Sequence, residues 1–341
     1  MEPVFFFFIF KHRFRRRALN NFINIKKIKN FKIFDLSGIF KYYMLGLPLH
    51  LLSKLFTKFF KNFIFISCDG KPQINKQGIN IWFGGTSYKI PNEYKNFKNN
   101  CFVFENFSKL EENLLDLYPH KPTKSKLLKD YKIVFVGSFN ISDFKEVDEI
   151  WEKEKKEIFN NLRIIDNYNF WKKYDLHNHA RIQTYYLQLK ERLRFNLIIE
   201  LKKVFGNKIL IIGSKWKEYI NDSLDDEFDL AKISKFYNGN ICLDFGSKWG
   251  SNIFYPRSVE IIEHGGLLVQ LEQSNASKKF YELDIIEKFN NFDQLSKKLN
   301  NLINDENIFH QKICKQNNFF NNPDLNYNTF KKIYEISKKK N

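Results

Sequence analysis

Short apolar runs and longer amphipathic stretches alternate along the second half of the chain. Apolar runs of strand length, each followed by a glycine or a polar turn, predict buried strands at residues 133–136, 208–212, 241–245 and 267–271. Between the first two runs, leucines at helical spacing predict a long helix over residues 180–205. Strands that alternate with helices are typical of a mostly parallel sheet covered by helices on both faces.

The first half of the chain has the same alternation in a less regular form. Its apolar runs predict strands at residues 62–67, 79–83 and 101–104. Two prolines lie in the charged stretch LYPHKPTK at residues 117–124, which is typical of a linker. We therefore predict two α/β domains, residues 1–124 and residues 125–341.

Two apolar segments near the start of the chain raise the question of contact with a membrane. Residues 49–60 carry Leu and Phe at helical spacing between lysines, which predicts an amphipathic helix with a basic rim. That helix either belongs to the core of the first domain or docks on an anionic membrane surface. The run VFFFFIF at residues 4–10 is too short to span a bilayer, and its basic residues follow it. It predicts a buried first strand or a poorly ordered start.

The charge of the chain is strongly positive, at a formal net value of +18. Its basic residues are spread along the whole chain among Asp and Glu, without zinc-finger spacing or an RNP-like strand, so no nucleic-acid partner is expected. The four cysteines are far apart and form no C-x-x-C pair. A disulfide framework and a zinc site are therefore not expected, and the cytoplasm is the expected location.

The densest chemical signal is the segment from Tyr255 to Val269. Pro256 suits the first position of a helix, and Gly265 suits its left-handed stop. The amide N–H groups and the dipole at the start of such a helix favour an anion such as a diphosphate, to which Arg257 and the Ser258 hydroxyl would add. A carboxylate at Glu260, one turn on, could accept two hydrogen bonds from a ribose diol. An ordinary capped helix with surface charges fits the same pattern.

This segment resembles the donor-site helix of GT-B glycosyltransferases, particularly the bacterial group related to spore maturation proteins. In that group an Arg-x-x-Glu helix is followed by a Cys-Gly or Gly-Gly pair and an apolar strand. Arg257, Glu260, Gly265 and Gly266 stand at the matching positions, whereas His264 departs from the usual pattern. The resemblance implies that Glu260 holds the ribose of a nucleotide-sugar.

Two more strands agree with this resemblance. The sequence IVFVGS resembles the first strand of the family's C-terminal domain, whose glycine turn faces the donor phosphates, and KILIIGSKW resembles the next strand. The implied fold has two Rossmann-like domains, with the acceptor bound on the N-terminal one. The expected donor-binding residues are Gly137, Ser138, Gly213, Lys215, Gly246, Ser247, Tyr255, Arg257, Ser258, Glu260, Gly265 and Gly266.

The implied activity is the transfer of a sugar from a nucleotide diphosphate to a hydroxyl of a glycan, a lipid-linked glycan or a protein, without a metal or another cofactor. The resemblance also suggests a role in bacterial cell-surface glycan synthesis. A base for the acceptor hydroxyl would come from the first domain, where Asp69 and Glu105 follow predicted strands, although either could be a turn residue. Two alternatives stay open: a sugar-nucleotide- or glycan-binding protein without activity, and a basic protein that binds membranes or nucleic acid.

Other chemistries lack their motifs. No G-x-G-x-x-G follows a strand, and neither G-x-x-x-x-G-K-[ST] nor G-x-S-x-G occurs. The acidic residues at 225–229 lie in a polar stretch, where a solvated loop is favoured over a metal-binding Asp-x-Asp pair. His177 and His179 lack partners for zinc.

Overall fold

The structure is a computed structural model of the chain. It describes residues 4–8, 31–35, 63–68, 79–83, 101–103, 122–141, 145–174, 179–225, 230–246, 256–272 and 278–322. Several residues and segments named above lie outside this set: Asp69, Glu105, His177, Ser247, Tyr255, residues 49–60 and most of the linker.

The chain divides into two compact units, and the division falls between His120 and Lys121, close to the predicted linker. The second unit comprises Lys121–Gly250 and Tyr255–Asn321. Within the described part of the chain, every helix is too short or too polar to cross a membrane.

The first unit contains a parallel sheet of five strands in the order β2-β1-β3-β4-β5. Its strands are β1 (Val4–Phe8), β2 (Phe31–Asp35), β3 (Phe63–Cys68), β4 (Ile79–Phe83) and β5 (Cys101–Val103). The N-terminal apolar run therefore forms a strand, and it pairs with β2 on one side and β3 on the other. Five consecutive apolar residues suit a strand inside a parallel sheet, because parallel sheets are generally covered on both faces.

The second unit contains another parallel sheet of five strands, in the order β10-β9-β8-β6-β7. Its strands are β6 (Ile133–Val136), β7 (Ile209–Ile212), β8 (Ile241–Asp244), β9 (Leu267–Leu271) and β10 (Glu287–Phe289). The first four of these strands confirm the predicted ones. The sequence pattern missed β10, which has only three residues and an exposed lysine in the middle.

Helices cover both faces of this second sheet. In chain order they are α1 (Lys145–Asn160), α2 (Tyr168–Lys172), α3 (His179–Phe205), α4 (Leu230–Tyr237), α5 (Pro256–Glu263), α6 (Lys278–Glu282), α7 (Phe292–Asn304) and α8 (Glu306–Phe320). One sheet face packs with α1, α3 and α7 into a large apolar cluster that includes Ile133, Phe135, Ile241, Leu243 and Val269. The opposite face packs against α4 and α5.

The fold class is therefore α/β with two Rossmann-like parallel sheets, as predicted. In each sheet, the first strand of the unit lies between its second and third strands. The connections leave this first strand in opposite directions, which opens a crevice at the carboxyl ends of the first and third strands. In the second unit these strands are β6 and β8, and ligands of such sheets bind at this position.

Candidate functional site

The candidate site lies at the carboxyl ends of β6, β7 and β8. Gly137 and Ser138 follow β6, Gly213 follows β7, and Gly246 lies two residues beyond β8. These four residues were predicted from the sequence to contact a donor. The structure brings the segments that carry them to one edge of the sheet, which we call the carboxyl edge.

The turns after β6 and β7 pass each other at very short range. The amide of Gly137 donates a hydrogen bond to the carbonyl of Ile212 over 2.8 Å. Gly213 has a φ of +153°, and a Cβ on it would lie 2.5 Å from the Gly137 carbonyl oxygen. Any side chain at position 213 would collide with backbone, so only glycine allows the two turns to meet.

Side-chain hydrogen bonds fix these two turns to one another. Trp216 Nε1 donates to the Gly137 carbonyl over 2.6 Å, and the amide of Ser214 donates to Ser138 Oγ over 3.0 Å. Lys215 takes a left-handed conformation with φ 71°, and its exposed ammonium group lies 3.3 Å from Asn140 Oδ1. A lysine is thus held beside the turn that follows β6.

The amino end of α5 reaches the same crevice. Arg257, in its first turn, donates from Nη1 to the carbonyl oxygen of Val136 over 2.7 Å, and Val136 is the last residue of β6. The same nitrogen lies 3.5 Å from the Tyr237 hydroxyl. Arg257 therefore links α5 to β6 and brings a positive charge to the point where the connections diverge.

The hydroxyl of Ser258 is buried, although the sequence suggested that it would face a ligand. Ser258 is fully buried and donates a hydrogen bond to Asp244 Oδ2. The other carboxylate oxygen of Asp244 accepts from the amide of Gly246 over 2.9 Å. The Ser258 hydroxyl therefore points into the protein interior, where it is hydrogen-bonded to Asp244 of β8, and it is not available to a ligand.

Glu260 lies one turn further along α5 and is half-buried. Its carbonyl oxygen accepts from the amide of His264 over 3.1 Å and from His264 Nδ1 over 2.7 Å. Burial raises the pKa of the Tyr237 hydroxyl, and the nearby carboxylate of Glu260 raises it further, whereas Arg257 lowers it. Tyr237 therefore lies under both charged residues of the Arg-x-x-Glu pair and remains protonated at neutral pH.

Gly265 and Gly266 lie at the other end of α5, just before β9 begins. Gly265 has φ +76°, and a Cβ there would lie 2.8 Å from the Thr123 carbonyl oxygen. A Cβ on Gly266 would lie 2.7 Å from Cys242 Sγ. The structure does not bring these glycines together with the other predicted donor residues, and close packing accounts for both of them.

Arg194 and Asp244 are site residues that the sequence did not indicate. Arg194 Nη1 on α3 lies 3.4 Å from the Ser138 carbonyl oxygen. Burial raises the pKa of Asp244, even though the Ser258 and Gly246 hydrogen bonds and the charges of Arg257 and Arg194 act to lower it. The only sequence signal for Asp244 was its place near the end of the apolar run ICLDF. Many strands end in such a polar residue, so the pattern did not indicate a site.

The site thus combines glycine turns, three cations and the start of a helix at one sheet edge. The cations are Arg194, Lys215 and Arg257. This combination suits an anion such as a diphosphate, because the amino end of a helix and positive side chains lie at the same edge. Among the described residues, no cluster of three or more His, Cys, Asp or Glu side chains could hold a metal ion.

Comparisons with known proteins give distant likenesses only. No protein-family model and no curated protein sequence matches the chain. The crystal structure of TarM matches 81% of this chain at 10% identity and a TM-score of 0.44, and the match spans 55% of TarM. A protein described as a UDP-N-acetylglucosamine 2-epimerase from Listeria monocytogenes matches 92% of this chain and 90% of its own, at 10% identity and a TM-score of 0.38. At these TM-scores neither likeness decides the function, which therefore has to be argued from the site.

Proposed function

We propose that the chain is a glycosyltransferase that moves a sugar from a nucleotide diphosphate to a hydroxyl acceptor. The observation that carries this proposal is the position of Arg257. It lies in the first turn of α5 and is hydrogen-bonded to the last carbonyl of β6, at the crevice where sheets of this strand order bind ligands. A diphosphate there would meet the amino end of α5, with its helix dipole, and a guanidinium group.

The remaining donor contacts follow from this placement. Lys215 borders the turn after β6 and is exposed, so its charge is available to the diphosphate. Arg194 borders the same turn but is paired with Glu191 over 3.6 Å, so it would contribute less. Glu260 lies one turn from Arg257 and would accept hydrogen bonds from the ribose diol. Ser247 and Tyr255 stand in the segment between β8 and α5 and stay predicted donor contacts.

The chemistry needs stabilisation of the leaving group. As the acceptor oxygen bonds to the anomeric carbon, the bond from that carbon to the diphosphate breaks, and negative charge develops on the diphosphate. Arg257, Lys215 and the dipole at the amino end of α5 would stabilise that charge, which would let the reaction proceed without a metal ion. The acceptor proton would pass to a base, for which Asp69 and Glu105 stay predicted candidates because they follow β3 and β5 in sequence.

The acceptor and the location belong to the same proposal. We expect a glycan, a lipid-linked glycan or a protein hydroxyl as acceptor, and a cytoplasmic enzyme that could touch an anionic membrane through basic residues. Two Rossmann-like units with a donor site on the second are the components of a GT-B glycosyltransferase.

Thermal stabilisation by UDP-, GDP-, dTDP- and CMP-sugars tests the donor site. A ligand at a hundred times its dissociation constant stabilises a folded protein by about 2.7 kcal/mol, which a melting curve resolves easily. One nucleotide class should stabilise the wild type, and Glu260→Gln should lose most of that stabilisation because an amide is a weaker acceptor for the ribose diol. Glu149→Gln removes an exposed carboxylate from α1 and serves as the matched control.

A measurement of turnover distinguishes a glycosyltransferase from a protein that only binds a nucleotide-sugar. Release of the nucleoside diphosphate from the stabilising donor, with water or an added glycan as acceptor, would support the glycosyltransferase. Stabilisation without release under any acceptor would favour a binding protein. A folded wild type that no nucleotide-sugar stabilises would contradict the donor site itself.

A further inference from the structure

A chain of hydrogen bonds crosses the interior beneath the candidate site. Ser258 Oγ donates to Asp244 Oδ2, Gln270 Nε2 donates to Ser258 Oγ over 2.7 Å, and Tyr281 Oη donates to Gln270 Oε1 over 2.7 Å. These four side chains, which we call the polar relay, connect β8, α5, β9 and α6.

Three of the four residues of the polar relay are buried against the sheet. Asp244 is 3% exposed, and Ser258 and Gln270 are fully buried. Asp244 and Gln270 are register partners on β8 and β9, on the same sheet face as Cys242 and Leu268. Polar groups in such surroundings are tolerated only when hydrogen-bonded, and apolar residues of the same size could be equally stable there.

Hydrogen bonds differ from apolar contacts in being directional. Apolar packing alone would hold α5 against the sheet while leaving its rotation about its own axis weakly determined. The two hydrogen bonds of Ser258 tie the first turn of α5 to two neighbouring strands and so fix this rotation. The relay therefore adds orientation to a helix that packing already holds.

The oriented turn is the one that carries Arg257. Ser258 is its neighbour in sequence, and the Arg257 bond to the Val136 carbonyl requires α5 to present its first turn to β6. At the other end, Asp244 also accepts from the amide of Gly246 over 2.9 Å and so anchors the start of the loop after β8. The relay thus positions two parts of the candidate site, the first turn of α5 and Gly246, through contacts in the protein interior.

We propose that the polar relay is a positioning device that aligns the amino end of α5, with Arg257, and Gly246 after β8 for the diphosphate of the donor. The proposal rests on the proposed function for its ligand. Asp244, Ser258 and Gln270 are too buried to reach a bound molecule, so they act through the backbone that they fix. Loss of a link should weaken binding of the diphosphate and leave binding of the nucleoside nearly unchanged.

Ser258→Ala removes the central link, and Ser223→Ala is its matched control. Ser223 is 3% exposed, and no hydrogen-bond partner of its hydroxyl is found within the described residues. Both substitutions therefore remove one buried hydroxyl, and only one of them breaks the relay. Gln270→Met, which keeps the volume and loses both of its relay bonds, is the second variant in case Ser258→Ala does not fold.

Two measurements on the full chain test the proposal. Hydrogen–deuterium exchange should be faster in peptides that cover Gly246 and the first turn of α5 in Ser258→Ala, and unchanged in Ser223→Ala. Affinity for UDP, GDP, dTDP and CDP, by calorimetry, should fall about tenfold for the diphosphate that binds the wild type. Affinity for the corresponding nucleoside, by ligand-observed NMR, should stay the same.

Three results would overturn the positioning role. They are exchange that matches the Ser223→Ala control, an equal loss for nucleoside and diphosphate, and no loss for either. If the wild type binds none of the four diphosphates, the proposed function fails, and the exchange measurement alone decides whether the relay orients α5.

Discussion

The two edges of the second sheet use similar residues for different purposes. At the carboxyl edge, the glycine turns after β6 and β7 meet in close contact beside Arg257, Lys215 and Arg194. At the opposite edge, which we call the amino edge, Gly239, Gly265 and Gly266 bring backbone into such close contact that no Cβ would fit. Helix α5 runs between the two edges and contributes to both.

The polar groups of the amino edge are paired with the backbone of the segment that enters the unit. Asn238 Oδ1 accepts from the amide of Lys126 over 2.6 Å, and its amide nitrogen lies 3.3 Å from the Lys124 carbonyl oxygen. Ser125 Oγ donates to the Gly265 carbonyl over 2.8 Å. Glycines thus mark a close approach of backbone at both edges, and the neighbouring charges distinguish the edge that suits an anion.

The largest effect on stability is expected from Gly239→Ala. Gly239 has φ +72°, and a Cβ there would lie 2.0 Å from the Lys126 carbonyl oxygen. Strain and backbone overlap together should lower the free energy of unfolding by about 4 kcal/mol, as measured by urea unfolding. Affinity for the nucleoside diphosphate should be unchanged in the folded fraction.

Gly206→Ala separates backbone strain from close contact as causes of the loss of stability expected for Gly239→Ala. Gly206 has φ +50°, but nothing lies within 4 Å of a Cβ built on it. Only the strain of the left-handed conformation remains, which should cost about 1 kcal/mol. Equal losses for the two variants would mean that close contact at the amino edge is not what requires glycine.

The next largest effect is expected on ligand binding, from Arg257→Leu. Removal of a guanidinium that meets the diphosphate should weaken its binding about 100-fold, or about 2.7 kcal/mol, by calorimetry. Arg257→Lys should recover part of the loss, since a lysine keeps the charge but not the planar fork.

Lys126→Met gives the matched control at the opposite edge. It removes one positive charge from an exposed residue of the amino edge. If the two edges differ as described, diphosphate affinity should hardly change. A similar loss for Lys126→Met and Arg257→Leu would indicate that overall charge, and not a site, attracts the ligand.

A smaller effect on stability is expected from Asn238→Ala. This substitution removes both hydrogen bonds that the side chain makes with residues 124 and 126. The unfolding free energy should fall by about 1.5 kcal/mol without a change in diphosphate affinity. Asn300→Ala, at an exposed position of α7, controls for the loss of an amide and should be neutral or slightly stabilising. A loss of diphosphate affinity in Asn238→Ala would show that the amino edge takes part in binding.

Local signals made the strands and α5 predictable. The runs at β6, β8 and β9 are apolar throughout or nearly so, and Pro256 and Gly265 mark the two ends of α5. Helix α8 was not predicted, although its buried residues recur at helical spacing and Asp305 accepts from the amide of Ile308 at its start. A strand as short as β10 carries too few residues for a periodicity.

The pairs of residues that contact each other in the site could not be predicted from the sequence. Asp244 meets Ser258 because β8 and α5 pack at a particular register, and Tyr237 lies under Arg257 because α4 packs beside α5. Such contacts join positions 14 and 20 residues apart, and no local pattern encodes them. The sequence identified the helix that carries the cation, and the structure supplied the residues that orient it.

The smallest effect concerns the charge of Asp244 and is visible only as a dependence on pH. Burial raises the pKa of Asp244 in the folded protein, whereas in the unfolded chain the carboxyl titrates near its ordinary value of about 3.9. Between those two values the folded state binds more protons than the unfolded state, so this carboxyl contributes stability at low pH that is lost as the pH rises. Asp244→Asn cannot titrate, so the unfolding free energy of the wild type minus that of the variant should fall as the pH rises from about 4 through the raised pKa of Asp244, and level off above it. Urea unfolding across this range measures the difference. A difference that grows with pH would mean that the charges of Arg257 and Arg194 stabilise the ionised carboxylate by more than burial destabilises it. Those charges would then act on Asp244 more strongly than the relay alone requires.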